Sequence, residues 1–159
     1  MILQLRIDER LIHGQIAAAW GRALPISSIV CASDIAVNDP LRTKMLLMAA
    51  PPQLKTRVKS VEDVIKLLSD PRADAMKILL ITDCPESALR LVEKLTITEV
   101  NVANYHTKDA DKIKITATCE VNKDDLGILK NLASKDIDIY TQMIPTTDKK
   151  DFRKLMENL

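Results

Sequence analysis

The segment Lys77–Thr82 (KILLIT) is a nearly continuous apolar run, and it constrains the fold more than any other stretch of the chain. A strand apolar on both sides has no face to show to water, so it belongs at the middle of a parallel sheet covered by helices above and below. The sequence before it has the alternation such a sheet requires. Leu3, Leu5 and Ile7 alternate with Gln4, Arg6 and Asp8, the period-2 pattern of a strand. From about Gly14, the residues IAAAWGRAL predict a helix that stops before Pro25. Ser27–Ser33 (SSIVCAS) predicts a second strand, and Asp39 an N-cap with Pro40 in the first helical position. Met45, Leu46, Met48 and Ala49 are expected apolar positions of that helix, and Met45, Leu47 and Met48 are expected in the core. Ser60 and Asp63 have N-cap and N3 spacing before the stripe Val64, Ile65, Leu67 and Leu68.

After the apolar run, Pro85 opens a predicted helix to about Leu95, and Glu99–Asn104 predicts a strand. Ile113, Ile115 and Ala117 alternate with Lys114, Thr116 and Thr118 in a short, half-exposed strand that should mark the sheet edge. Asp124–Ala133 is helical by pattern, Ile137, Ile139, Thr141 and Met143 alternate as a last strand, and Asp148–Leu159 predicts a final helix. The expected fold is α/β: a single domain over residues 1–159 with an open, mostly parallel, doubly wound sheet, helices on both faces and a short antiparallel edge. In such sheets ligands bind beyond the carboxyl ends of the strands, and the junction from Asp8 to Gly14 is such a place.

Composition narrows the function. A chain of 159 residues that is 47% hydrophobic suits one core. At this size roughly 68–70% of the unfolded-chain surface is buried. Lys+Arg number 23 against 22 Asp+Glu, and there are only two Tyr, one Phe and one Trp, so neither charge nor stacking favours nucleic acid. Cys31, Cys84 and Cys119 are odd in number and far apart, which suits reduced thiols rather than a zinc site or a disulfide framework. The N-terminus meets charge within six residues, and no uncharged run approaches the roughly 20 apolar residues that span a bilayer. A soluble cytoplasmic protein is expected.

The chemistry gathers in Arg6–Gln15 (RIDERLIHGQ). A neutral imidazole is nucleophilic, and its two nitrogens let one attack phosphorus while the other donates a hydrogen bond that fixes the tautomer. His13 stands where strand gives way to helix, so the helix N-terminal amides can receive phosphoryl oxygens. Gly14 would let the backbone come close, with Gln15 beside it. Arg10 could offer a bidentate fork to phosphate, Arg6 is a second candidate cation, and Asp8 could orient the imidazole. The plainer alternative is a histidine that caps or packs under a helix beside a surface Arg–Asp pair.

The string RIDERLIHGQ, with IVCASD and NDPLRTKML downstream, closely resembles the mannose/sorbose family of enzyme IIB subunits of the bacterial sugar phosphotransferase system. The resemblance runs through almost the whole chain, ending in the turn Ile144–Asp148 before the last helix. It implies that His13 receives phosphate from a phosphohistidine on a IIA partner and hands it to a sugar carried by IIC and IID membrane subunits. Asp8 and Arg10 would be its active-site neighbours, and the protein would be cytoplasmic, held peripherally at the membrane through IIC and IID. Transfer between imidazoles calls for no metal and no organic cofactor. Two departures stand out: Glu9 replaces a common Asp, and Val100–His106 (VNVANYH) lacks the glycine expected after the strand. The sugar, and whether the chain is a monomer or a homo-oligomer, are not written in these motifs.

Three other readings compete or fail. Cys84–Arg90 (CPESALR) has the Cys-x5-Arg spacing of a phosphatase loop, yet Pro85, Glu86 and Leu89 read as an ordinary first helical turn, with Glu86 repelling an anion. A sensor of phosphate-bearing metabolites could use the same strand-end site without turnover. His106, between Tyr105 and Thr107, has no second ligand at metal spacing and is expected at the surface. Trp20 is expected in the core.

Overall fold

The apolar run and its neighbours pair into one twisted sheet. The computed structural model describes residues 1–159. In chain order the elements are β1 (Ile2–Asp8), α1 (Gly14–Ala23), β2 (Ser28–Ala32), α2 (Asp34–Val37), α3 (Pro40–Ala49), β3 (Lys55–Lys59), α4 (Val61–Ser69), β4 (Ile78–Thr82), α5 (Pro85–Lys94), β5 (Glu99–His106), β6 (Ile113–Thr116), β7 (Cys119–Val121), α6 (Lys123–Ala133), β8 (Asp138–Thr141), β9 (Lys150–Asp151) and α7 (Phe152–Met156). The strand order is β3-β2-β4-β1-β5-β7-β6, with β8 beside β5 and β9 beside β8. Pairing is parallel except for β6 with β7 and β9 with β8, both at the margin. The open, mostly parallel sheet with a short antiparallel edge is thus as expected. β4, the KILLIT strand, lies between β2 and β1 with all five residues buried; the central place in the order belongs to β1.

Helices cover both faces. Ala17 and Trp20 of α1, Ala36 of α2 and Leu46 of α3 pack with Ile29, Cys31, Leu79 and Ile81 on one side. On the other, α4 to α7 pack Val64, Leu91, Leu129 and Phe152 against Leu5, Ile7, Leu80 and Val102. Caps predicted from sequence form: Asp39 and Ser60 accept hydrogen bonds from the backbone N–H of Arg42 and Asp63. Trp20 is buried, as expected, and its indole N–H donates to the Met143 carbonyl at 3.1 Å.

Several expectations are corrected. Met45, Leu47 and Met48 are 61%, 42% and 75% exposed, and only Leu46 of that group is core. A helix resting on one sheet face buries one stripe, and consecutive apolar residues cannot all lie on it. The final helix is confined to Phe152–Met156, because Lys150–Asp151 pair with β8 instead. The strand at Ile137–Met143 is shortened to Asp138–Thr141. Strands β3 and β7 and the short helix α2 escaped the pattern; β3 (KTRVK) is an edge strand too polar to signal itself.

Candidate functional site

Adjacent strands β1 and β5 send their continuing chain in opposite directions, β1 toward β2 and β5 toward β7 and β8, so their carboxyl ends flank a topological switch point. A register shift between Ile7 and Asp8 opposite β5 bends the pair there. The chain leaves β1 in a turn closed by Leu11 N–H donating to the Asp8 carbonyl at 2.8 Å. Leu11 has φ 61, the only positive φ in the chain. A left-handed leucine costs about 1–2 kcal/mol. Its side chain is 1% exposed within the α1-side core, and full burial of a leucine is worth about 1.5–3 kcal/mol. The strained turn is therefore held by its own packing, and it sets the direction of Arg10 and His13.

Asp8 is the anchor. It is fully buried. One oxygen, Oδ1, accepts from Arg10 N–H at 3.0 Å and Arg10 Nε at 3.1 Å; the other, Oδ2, accepts from Arg10 Nη2 at 3.1 Å and from Arg6 Nη2 and Nε at 3.2 and 3.3 Å. Asn104 Nδ2 approaches Oδ1 at 3.5 Å. No hydrogen bond joins Asp8 to His13, which corrects the expectation that this carboxylate orients the imidazole: its acceptor capacity is taken by two guanidinium groups.

Arg6 is corrected too. The guanidinium is 1% exposed, and beyond Asp8 it donates from Nη1 to the Gln142 and Met143 carbonyls at 3.4 and 3.1 Å. Burial pulls its pKa below the ordinary arginine value, against the raising effect of Asp8. A buried charge so fully bonded is a structural strut rather than a phosphate receptor. Arg10 differs: its side chain is 39% exposed, Nε and Nη2 face Asp8, and Nη1 has no intramolecular acceptor.

His13 is exposed at the N-cap of α1 and makes no side-chain capping bond. The first amide of α1 bonded within the helix is that of Ala17, on the His13 carbonyl at 2.8 Å. The amides of exposed Gly14 and Gln15 precede it and have no intrahelical acceptor. A Cβ on Gly14 would meet the Ala49 carbonyl at 3.5 Å, an ordinary contact, so a glycine is not demanded there by space.

Glu9 and His106, set apart in the sequence, meet. The Glu9 carboxylate accepts from His106 N–H at 3.1 Å and lies 2.9 Å from His106 Nδ1, while Glu9 N–H donates to the Asn104 carbonyl at 2.8 Å. His106 is half-buried rather than free at the surface. β5 runs extended through His106 without positive φ, so the segment Val100–His106 needs no glycine.

Sequence reasoning missed Arg42. It sits on α3, and its Nη2 donates to the Glu9 carbonyl at 3.3 Å, which brings a second cation to the loop that carries Arg10. Only tertiary packing reveals it; 32 positions of sequence separate the two arginines. Both line an open crevice of about 650 Å³ at the switch point. No group of three or more His, Cys, Asp or Glu side chains is placed to hold a metal ion.

At the neighbouring strand end, Cys84 is the N-cap of α5. Its thiol bonds Ser87 Oγ at 3.3 Å, and burial pushes its pKa up. Arg90 is ion-paired with Asp34 at 2.8 Å. Cys31 and Cys119 are buried and free.

Residues 2–159 match the family described as PTS system sorbose subfamily IIB component. A protein of Streptococcus pyogenes serotype M6 named "Probable phosphotransferase enzyme IIB component" is 35% identical over 162 residues, covering 98% of this chain and 99% of that one. The "PTS system mannose-specific EIIAB component" of Escherichia coli K12 is 29% identical over 97% of this chain, which spans only 48% of that relative. The IIBSor domain of the sorbose permease from Klebsiella pneumoniae superposes with a TM-score of 0.91 at 22% identity, covering 99% and 96% of the two chains, and so shares the fold. The chain belongs to the sorbose subfamily of IIB components of the sugar phosphotransferase system, and its activity is that of a phosphotransferase component in sugar transport.

Proposed function

We propose that His13 is the phosphoryl carrier: it accepts a phosphoryl group from the phosphohistidine of a IIA donor and delivers it to a sugar handled by IIC and IID membrane subunits. The observation that carries this reading is the exposed, unbonded imidazole at the start of α1, three residues beyond an arginine whose guanidinium is fixed on a buried carboxylate. Docking aligns the donor phosphorus with a neutral His13 nitrogen. The donor's P–N bond breaks, its nitrogen keeps the electron pair, and a P–N bond to His13 forms. Arg10 Nη1 and the amides of Gly14 and Gln15 receive the phosphoryl oxygens. Positioning and electrostatics supply the rate, as in other phosphoryl transfers.

Asp8 has a positioning role: it holds Arg10, with Arg6 neutralising the remaining charge beneath. The IIA partner is suggested by the fused EIIAB relative, and peripheral attachment at the membrane through IIC and IID is part of the same proposal. No helix of the chain is long and apolar enough to cross a membrane. Relatives carry mannose or sorbose in their names, and in this reading the membrane subunits select the sugar.

The cysteine alternative is weaker because Cys84 is bonded to Ser87 and Arg90 is engaged by Asp34. The test is phosphoryl labelling from a phosphotransferase donor chain. An acid-labile, base-stable label that vanishes in His13→Ala and persists in Cys84→Ser is expected. Label retained by His13→Ala and lost from Cys84→Ser would overturn the assignment, and no label on the wild type would favour a sensing domain.

A further inference from the structure

The crevice between the ends of β1, β4 and β5 is larger than phosphoryl transfer to His13 requires. Its volume is about 650 Å³, ten of its thirteen lining residues are not hydrophobic, and His13 is not among them. A phosphoryl group alone would fill a small part of it, whereas sites for small metabolites run from about 300 to 1,000 Å³. Two guanidinium groups line it with donors uncommitted within the chain: Arg10 through Nη1, and Arg42 through Nε and Nη1. Both are anchored from behind, Arg10 by Asp8 and Arg42 by the Glu9 carbonyl, so little side-chain order remains to be imposed on binding. Lys108 adds a third positive charge, exposed and outside every ion pair. Four carboxylates share the wall; Glu9 is paired with His106, and Asp125 accepts from the Tyr105 hydroxyl. Asp83 and Asp109 each bond through Oδ2 only, to Ser33 Oγ at 2.5 Å and Asn122 Nδ2 at 2.8 Å, which leaves each Oδ1 as an acceptor.

A bare anion site would not keep free carboxylate oxygens in its wall, and an apolar ligand would not be matched by so many charges. We propose that the crevice binds a phosphorylated sugar, with the phosphate on Arg10 and Arg42 and sugar hydroxyls donating to Asp83 and Asp109. The identity of this ligand rests on the phosphocarrier reading above, since a phosphorylated sugar is the product that such a carrier's phosphoryl group ends on. Arg10 is the element the two sites share, so a bound product would compete with a phosphoryl group at His13 for the same guanidinium.

The test is a titration of the ¹⁵N-labelled full chain, followed by amide shifts, with mannose 6-phosphate, mannose and inorganic phosphate in separate arms. Saturable shifts at Asp83, Thr107 and Lys108 with mannose 6-phosphate are expected, with each of the other two ligands at least about tenfold weaker. Arg42→Ala and Lys108→Ala should each weaken binding several-fold; the second removes a side chain with no intramolecular bond and leaves the fold undisturbed. Absence of saturable shifts, equal binding of inorganic phosphate, or wild-type affinity in both variants would overturn the proposal. The two readings fail separately. Labelling of His13 without crevice shifts removes only the crevice site, and crevice shifts without His13 labelling remove only the carrier.

Discussion

The junctions after β1 and β4 are built alike and differ in chemistry. Each comes from a buried parallel strand, each runs into a ten-residue helix, and each places a potential nucleophile at the N-cap without a capping bond, His13 in one and Cys84 in the other. Around His13, the loop keeps the ring exposed and stations a guanidinium nearby on a buried carboxylate. Around Cys84, the thiol is half-buried and bonded to Ser87, a proline at the first helical position removes one anion-binding amide, and the arginine at phosphatase spacing is paired with Asp34. A nucleophile at a helix N-terminus is therefore not enough; a held but uncommitted cation is what separates the two.

The largest effect should come from removing the nucleophile itself. His13→Ala is expected to abolish phosphoryl uptake in a labelling assay, while Cys84→Ser is expected to stay within about twofold of wild type, since the thiol is bonded to Ser87 and Arg90 is paired with Asp34. Comparable losses in both variants would erase the distinction.

Next comes the anchor that only the first junction possesses. Asp8→Ala would leave Arg6 buried without its counter-charge, and breaking a buried pair typically costs about 3–5 kcal/mol. Urea unfolding should show a loss of that order. A loss below about 1 kcal/mol would mean that Arg6 is neutralised in some other way. Arg10→Ala acts differently because its side chain is partly exposed. Transfer should slow by about 10²–10³, the effect of removing one preorganised donor, with a far smaller change in unfolding than Asp8→Ala. Transfer at the wild-type rate would take Arg10 out of the mechanism.

These variants also mark where sequence was sufficient. The period-2 pattern of β1, the apolar run of β4, and the caps at Asp39 and Ser60 rest on local chemistry, and each is where the pattern put it. The place of His13 at the start of α1 was equally legible from strand, polar loop and alanine-rich helix. The partners of Asp8 were not. Arg6 lies two residues away on the same strand face, so a surface cation was a fair inference, but the carbonyls of Gln142 and Met143 close over it from 136 and 137 residues away. Arg42 was invisible for the same reason. Met45, Leu47 and Met48 show the converse: apolar residues crowded into a helix cannot all face the sheet, and sequence alone does not say which of them does.

The second junction can be probed by pH. Desolvation raises the Cys84 pKa above that of an ordinary thiol, since burial disfavours the thiolate. At pH 7 a thiol of pKa 9 is about 1% ionised, and a raised one less. Alkylation of Cys84, followed by mass spectrometry, should be slow at pH 7, rise steadily with pH and level off only beyond the range of an ordinary thiol. A midpoint near or below pH 7 would reveal an activated thiol and restore the cysteine alternative.

The smallest expected effect concerns Glu9, where the chain departs from the common Asp. The longer side chain reaches both the backbone N–H and Nδ1 of His106, tying the β1 turn to the end of β5. Aspartate is one methylene shorter and cannot keep both bonds without moving the turn. Both side chains are about one-third exposed, so Glu9→Asp should cost only about 1 kcal/mol in unfolding free energy. The same substitution in a His106→Ala background should cost less, because the ring is no longer there to lose, although the backbone bond still is. A double-mutant cycle isolates that side-chain share. Zero coupling would show that Glu9 holds β5 through the amide alone, and the tie between the two strand ends would then be a backbone feature that any residue except proline could supply at position 106.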